Sequence, residues 1–352
     1  MAPFPCIGLS RYDALHTSGA AMRRREFITL IGCAAISSPL QAFAQPSQRM
    51  RRVGVLIPLA EGDAQARVEV AAFRERLQQL GWTEGRDLQI VTRWAAGDIN
   101  AIRAYAKELV GLQPDAILAR TTPVTAALLQ ETRTIPIVFV GASDPVGAGF
   151  AKSLARPGGN ATGFTNVEAS LGGKWVELLK EIIPNLNRIA VVFDPNTSPD
   201  RGSFYLRQVQ DAARTIAIEA VATPVRDGAA MELAIKEFAG QRNGGLVVTP
   251  DVTTHNNRTV IFSLAARYQL PAVYGYLFYV AEGGFAAYGI DTVDLYKQAA
   301  GYVDRILRGE KPDQLAIQAP TKLELAINLK TAKTLGITVP RTLVSRADKV
   351  IE

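Results

Sequence analysis

The sequence predicts an α/β protein built of two doubly wound parallel-sheet lobes, and three observations carry that reading. Short apolar, β-branched runs alternate with amphipathic helical segments from Arg52 to Thr249, which is the rhythm of βαβ units. The rhythm breaks near residue 164, after the Gly- and Pro-rich stretch Arg156 to Gly163, and then begins again. Polar turns recur at the strand ends of both halves, where the crevice of an open α/β sheet receives its ligand.

Taken in order, residues 1–44 read as a leader and export signal. MRRREFITLIGCAAISSPLQAFA, residues 22–44, has a basic start, an apolar middle and an Ala42-Phe43-Ala44 end, which places the cut before Gln45. Arg24-Arg25-Glu26-Phe27-Ile28 resembles a twin-arginine address, which makes Met22 the expected start. A competing reading takes Leu30-Ile31-Gly32-Cys33 as a lipoprotein box with a lipid anchor on Cys33. Both cysteines, Cys6 and Cys33, precede the proposed cut, so no disulfide or Cys-ligated metal is expected in the exported chain.

The first lobe opens on Arg52 to Ile57, a buried-strand pattern ending in the turn Pro58-Leu59-Ala60. Val68, Ala71, Ala72, Phe73, Leu77 and Leu80 recur at helical spacing and form the expected buried face of the next helix, which Gly81 ends. Strands at Leu88 to Arg93, Asp115 to Ala119 and Ile135 to Val140 follow, with a helix at Ala101 to Leu112. At Arg120-Thr121-Thr122-Pro123, hydroxyls and backbone N–H groups at a helix start suit an anion. The same residues also read as a plain Thr122 cap with Pro123 at the first helical position. Ser143 and Asp144 end the Ile135 to Val140 run, either as ligand contacts or as the start of a turn.

The second lobe repeats the pattern: helix at Ser170 to Ile183, strand at Arg188 to Phe193, helix at Asp200 to Ala217, strand at Ile218 to Thr223, helix at Ala229 to Ala239 and strand at Gly245 to Thr249. Its strand ends offer Asp194, Asn196, Thr249 and Asp251. Tyr274, Tyr276 and Tyr288 are placed to wall in a partly apolar solute or to fill the core, and a further strand ends at Asp291. The expected division is residues 51–164 plus 291–352 for lobe 1 and residues 165–290 for lobe 2, with crossings near 164, 290 and 320. In such a hinged clamshell, Pro58, Leu59, Thr121, Thr122, Ser143 and Asp144 face Asp194, Asn196, Thr249, Asp251, Tyr274, Tyr276, Tyr288 and Asp291 across one cleft.

Composition and motifs exclude other classes. The chain is 48% hydrophobic and 20% charged, ordinary for a globular protein, and its net charge of +6 is spread without the basic and aromatic clustering of a nucleic-acid surface. There is no GxSxG elbow, Walker loop or HExxH pair, and beyond the leader the only histidine is His255. No catalytic residue, metal or cofactor is expected. The remaining alternatives to a transport protein are a ligand sensor and an exported α/β enzyme. A repressor with this clamshell would carry a DNA-binding helix-turn-helix where this chain has an export signal.

Two stretches carry a family resemblance. TIPIVFVGASDPVGAGFAKSLARPGGNATG, from Thr134, and AAYGIDTVDLYKQAAGYVDRILRGEKPDQLAIQAPTKLELAINLKTAKTLGITVP, from Ala286, resemble the bacterial ABC-transporter substrate-binding protein family that includes tryptophan-binding members. The resemblance spans residues 51–352; Tyr274 to Tyr279 is more aromatic than the family's usual segment. It implies a type I periplasmic-binding fold, a periplasmic location, a small-molecule ligand with an amino acid or related apolar or aromatic compound as first candidate, and delivery to the permease of an ABC importer.

Overall fold

The computed structural model describes residues 49–166 and 170–352; the export signal, its twin-arginine pair and the Cys33 box lie outside them. Residues 49–352 form one compact unit, within which two α/β lobes are each built on one sheet.

The lobe 1 sheet runs in the order β2-β1-β3-β4-β5, all parallel: β1 Arg51–Ile57, β2 Leu88–Trp94, β3 Ala116–Arg120, β4 Ile137–Val140 and β5 Ala161–Phe164. Its helices are α1 Ala64–Gln79, α2 Ile99–Gly111 and α3 Thr122–Glu131. β3, β4 and β5 are buried along their whole length, because helices cover both faces of a parallel sheet and leave no solvent side. Gly163 in β5 has φ +147°, and a Cβ there would lie 2.0 Å from the Phe139 carbonyl oxygen of β4. Only glycine allows that approach.

Lobe 2 starts with α4 Leu171–Ile182 and continues through β6 Arg188–Phe193, α5 Ser203–Thr215, β7 Glu219–Pro224, α6 Gly228–Ala239, β8 Gly244–Val248, α7 Val252–Asn256, α8 Arg258–Arg267, β9 Ala272–Tyr276, α9 Phe278–Ala281 and β10 Ala286–Ile290. The chain then crosses back. α10 Thr292–Leu307 packs on α1, β3, β4 and β5 of lobe 1. The Trp82 indole donates to Asp304 on α10 at 2.8 Å, and Arg308 donates to the same carboxylate at 2.7 Å. Residues 315–318 then run along the outer edge of β5, where Thr162 Oγ1 donates to the Leu315 carbonyl and the Gln318 amide to the Gly163 carbonyl.

Four expectations change. The end of the chain does not return to the first sheet: β11 Glu324–Asn328 and β12 Lys349–Ile351, with α11 Leu329–Thr334 and α12 Arg341–Arg346 between them, extend the second sheet to the order β12-β11-β10-β9-β8-β6-β7. That sheet is also mixed, since β11 runs antiparallel to β10. The reason is directional: β10 ends at the crossing between lobes, so a strand arriving from that crossing runs away from it. On α1 the buried face is Ala66, Glu69, Val70, Ala72, Phe73 and Leu77, so Ala72, Phe73 and Leu77 stand where expected, whereas Val68 is 52% exposed and Ala71 is exposed. Finally, the helix expected from Asp200 begins with a 3-10 turn, Pro199–Gly202, and turns α-helical only at Ser203.

Gly163→Ala should lower the urea midpoint without changing the slope, by about 1–3 kcal/mol, the usual cost of forcing atoms into a packed interior. An unchanged midpoint would show that β4 and β5 are free to separate.

Candidate functional site

The carboxyl ends of strands from both sheets meet at one narrow cleft, closed down to a cavity of about 10 Å³, room for a single water at most. β3 supplies Arg120 and the following Thr121, β4 supplies Val140 and Gly141, and Asn166 follows β5. Across from them stand Tyr276 at the end of β9 and Ile290 at the end of β10, while α10 contributes Thr292, Leu295 and Tyr296 and α1 contributes Glu69. This is the crevice position that parallel α/β sheets create outside their strand ends.

Its electrostatic centre is a buried ion pair. Arg120 Nε lies 3.0 Å from Glu69 Oε2 and Nη2 lies 3.4 Å from Oε1, with Glu69 fully buried and Arg120 6% exposed. Burial alone would lower the guanidinium pKa, but the Glu69 carboxylate outweighs it and holds the group firmly charged. Burial raises the pKa of both Tyr276 and Tyr296, so both phenols stay protonated and can donate.

Two lining residues keep buried side-chain oxygens without a hydrogen-bond partner, Thr121 Oγ1 and Asn166 Oδ1, and the Tyr296 hydroxyl, which meets only the Arg120 guanidinium, has its proton free to donate. Such groups cost free energy when left unpaired, so they mark places where a solute would be rewarded for binding. Thr121 adds backbone strain. It is the residue before the first turn of α3, with φ 75° and ψ 165°, a region that β-branched residues almost never enter. The expected Thr122 cap is therefore displaced by one residue: Thr122 is already helical, and its hydroxyl accepts from the Ser143 amide at 3.3 Å.

Of the residues expected in the cleft, Thr121 and Tyr276 line it, and the Tyr276 hydroxyl lies 3.3 Å from Asn166 Nδ2. Ser143 lies beside it at the lobe junction, its hydroxyl accepting from Tyr205 Oη at 2.8 Å. The others are committed elsewhere. Pro58 and Leu59 are buried behind β1, the Pro58 carbonyl accepting from the Gly97 amide. Asp144 closes a turn by accepting from the Gly147 amide at 2.8 Å, and Asp291 caps α10 through the Val293 amide. Tyr274 is core, edge-on to Phe262 and Tyr279. Tyr288 is half-buried on another face, its carbonyl taking the Trp175 indole.

Asp194, Asn196, Thr249 and Asp251 form a network within lobe 2. The Asp251 carboxylate accepts from the Asp194 and Thr254 amides and from the hydroxyls of Thr197, Ser198 and Thr249, and it caps α7. Asp194 accepts from the Asn196 amide and the Thr253 hydroxyl. The Asp251 carboxylate is saturated by these five donors, whereas Asp194 keeps acceptor capacity on both oxygens. Glu69, Asn166, Thr292, Leu295 and Tyr296 escaped the sequence reading, and Arg120 entered it only as part of the stretch at the start of α3. The buried Arg120 beside Thr121 was the available signal, since a charge at the end of a fully apolar strand needs a partner.

Burial raises the Asp251 pKa to about 6, against the pull of the Thr254 and Asp194 amides and the Ser198 hydroxyl. The folded state therefore holds a proton that the unfolded chain releases near 3.8, so this group's contribution to stability falls as pH rises from about 4 to about 6. Asp251→Asn should remove that slope from the melting profile. Asp251→Ala should cost about 1–3 kcal/mol of stability through the lost cap and unpaired hydroxyls, with solute affinity unchanged; loss of affinity at full stability would return Asp251 to the cleft.

Among the described residues, no group of three His, Cys, Asp or Glu side chains is placed to hold a metal, and no helix is long and apolar enough to cross a membrane. The chain is 27% identical over 265 residues to a tyrosine-binding protein of Clostridioides difficile strain R20291, a match that covers 75% of each. Its fold matches a conserved domain protein of Vibrio cholerae O1 biovar El Tor with a TM-score of 0.79 and 29% identity, over 86% of this chain and 100% of that one. An ABC domain from Streptococcus pneumonia in complex with L-Trp matches with the same TM-score and coverage at 23% identity. Residues 52–351 match the sequence model of the ABC transporter substrate binding proteins, and the chain belongs to that family.

Proposed function

We propose that this protein captures an amino acid, with aromatic side chains favoured, between its lobes and delivers it to the permease of an ABC importer. The observation that carries this reading is a pair of unpartnered buried oxygens, on Thr121 and Asn166, and the free phenol proton of Tyr296 around a charged pair, in a cleft that the lobes must open to admit a solute. A zwitterion matches that chemistry: its carboxylate pairs with donors such as the Tyr296 phenol and Thr121 hydroxyl, and its ammonium with Asn166 Oδ1. Tyr276, Ile290, Leu295 and Val140 offer the apolar wall that a side chain needs. The tyrosine-binding relative and the L-Trp complex support amino acids as the class to try first. Binding without turnover is the expected behaviour, and lobe closure is what the transporter would read.

Isothermal titration with L-tyrosine and L-tryptophan tests the assignment, alongside mass spectrometry of any solute that co-purifies. Tyr296→Phe and Asn166→Ala should each weaken binding by about 1–3 kcal/mol. Tyr296→Phe should change the melting temperature little, because the one group its hydroxyl meets, the Arg120 guanidinium, keeps its pairing with Glu69. Asp144→Ala, Asp291→Ala and Tyr288→Phe should bind as the parent does; affinity lost there and kept in the cleft variants would overturn the site.

The export reading is part of the same proposal and places the protein in the periplasm. A precursor starting at Met22 should yield a product beginning at Gln45, and Arg24→Lys with Arg25→Lys should stop export. Amino-terminal sequencing of the periplasmic product decides between this and a lipid-modified Cys33.

A further inference from the structure

The lobes also touch at a point away from the cleft. Asp63, at the residue before α1 in lobe 1, accepts from the Ala66 amide through Oδ1 and faces lobe 2 with Oδ2. There His255 Nε2, on α7, lies at 3.1 Å and Arg258 Nη1, on α8, at 3.0 Å. Arg258 in turn pairs with Glu282 after α9 and donates to the His255 carbonyl at 3.0 Å. The imidazole is 2% exposed and packs on the rings of Phe278 and Tyr279, with Nδ1 unpartnered. Backbone fit supports the contact: a Cβ on Gly97 of lobe 1 would lie 2.5 Å from Asn256 Nδ2 of lobe 2.

We propose that Asp63, His255 and Arg258 form a latch that holds the two lobes shut without touching the solute. The proposal rests on the reading that the lobes close around a ligand. α1 connects latch and cleft, because it begins at Asp63 and carries Glu69, the partner of Arg120, less than two turns later. A solute that engages the Arg120 end of the cleft therefore bears on the helix whose start is latched.

Opening would hydrate all three side chains, and this gives the latch a pH dependence. The charged and titratable groups facing His255 are Asp63 from α1, Arg258 from α8, Tyr279 from α9 and, at longer range, Arg120 from β3. Burial lowers the His255 pKa from 6.5, against the upward pull of the Asp63 hydrogen bond, and Arg120 and Arg258 add to the fall. For Asp63, burial pushes upward, but the hydrogen bond and charge of His255, the Ala66 amide and Arg258 outweigh it and hold the carboxyl well below 3.8. Both groups thus bind fewer protons closed than open. Closure is at full strength above the ordinary histidine value and weakens as pH falls below it; the Asp63 share goes only below the ordinary carboxylate value.

The experiment follows the His255 ring by NMR in the purified full chain carrying His16→Gln, which leaves one histidine signal. No added ligand is needed, so failure of the amino-acid assignment does not affect it. In the parent, His255 should titrate below 6.5. Asp63→Asn keeps the side-chain oxygen that caps α1 but turns an amide toward Arg258, so the fold should survive. Under the proposal the lobes then part: the His255 titration relaxes up to its ordinary value and the radius of gyration from small-angle scattering increases. If the His255 value falls further in Asp63→Asn, the carboxylate was a passive neighbour in a closure held by other contacts, and the latch is overturned. An ordinary titration in the parent, untouched by Asp63→Asn, overturns it as well.

Discussion

The buried pair between Glu69 and Arg120 is the constraint around which this molecule is arranged. Two charges held almost entirely out of water cost several kcal/mol each unless they are paired with good geometry, and removing one partner of such a pair typically costs about 3–5 kcal/mol. That demand fixes the rotation of α1 about its axis, because Glu69 must point at the end of β3. With α1 so turned, Val68 is left in solvent, and Asp63 stands at the lobe junction. α10 then closes the same region from the other side with Thr292, Leu295 and Tyr296. Cleft wall, helix rotation and lobe contact follow from one pairing.

Polar residues at the strand ends divide into two populations. Asp144, Asp194, Asp251 and Asp291 spend their carboxylates on backbone amides and neighbouring hydroxyls, which is how loops at the end of a parallel sheet satisfy groups that the sheet leaves open. Thr121 and Asn166 keep oxygens without a partner, and Tyr296 keeps a hydroxyl proton without an acceptor. The strained backbone at Thr121 belongs with the second population, since strain of this kind persists only where the surroundings enforce it. The capping residues stabilise the scaffold, and the leftover residues line the cleft.

The lobes are separate sheets but not separate cores. The apolar interior continues from lobe 1 into lobe 2 through Phe164, Ile290, Leu295, Tyr296 and Tyr276, beside the crossings. Away from the hinge, contact between lobes is polar: Tyr205 to Ser143, and His255 and Arg258 to Asp63. Apolar packing near the crossings resists separation, while exchangeable hydrogen bonds at the far side can be traded for water. This distribution suits a hinge whose open and closed states differ by a few kcal/mol.

By itself the sequence determined the elements and the crevice at their carboxyl ends. Runs such as Ile189 to Phe193 and Ile137 to Val140 are apolar throughout and rich in β-branched residues, and only a strand covered on both faces tolerates that composition, so the α/β rhythm and the crevice at the strand ends were legible. The tertiary structure decided what spacing alone does not encode. It put β11 and β12 in the second sheet, because the direction of a returning strand depends on where the chain crosses between lobes. It also separated Thr121 and Tyr276 from Asp194 and Asp251, which look equally suited to a ligand as letters in a turn. A polar side chain that caps a helix and one that lines a cleft have the same sequence signature, and only their partners in space tell them apart.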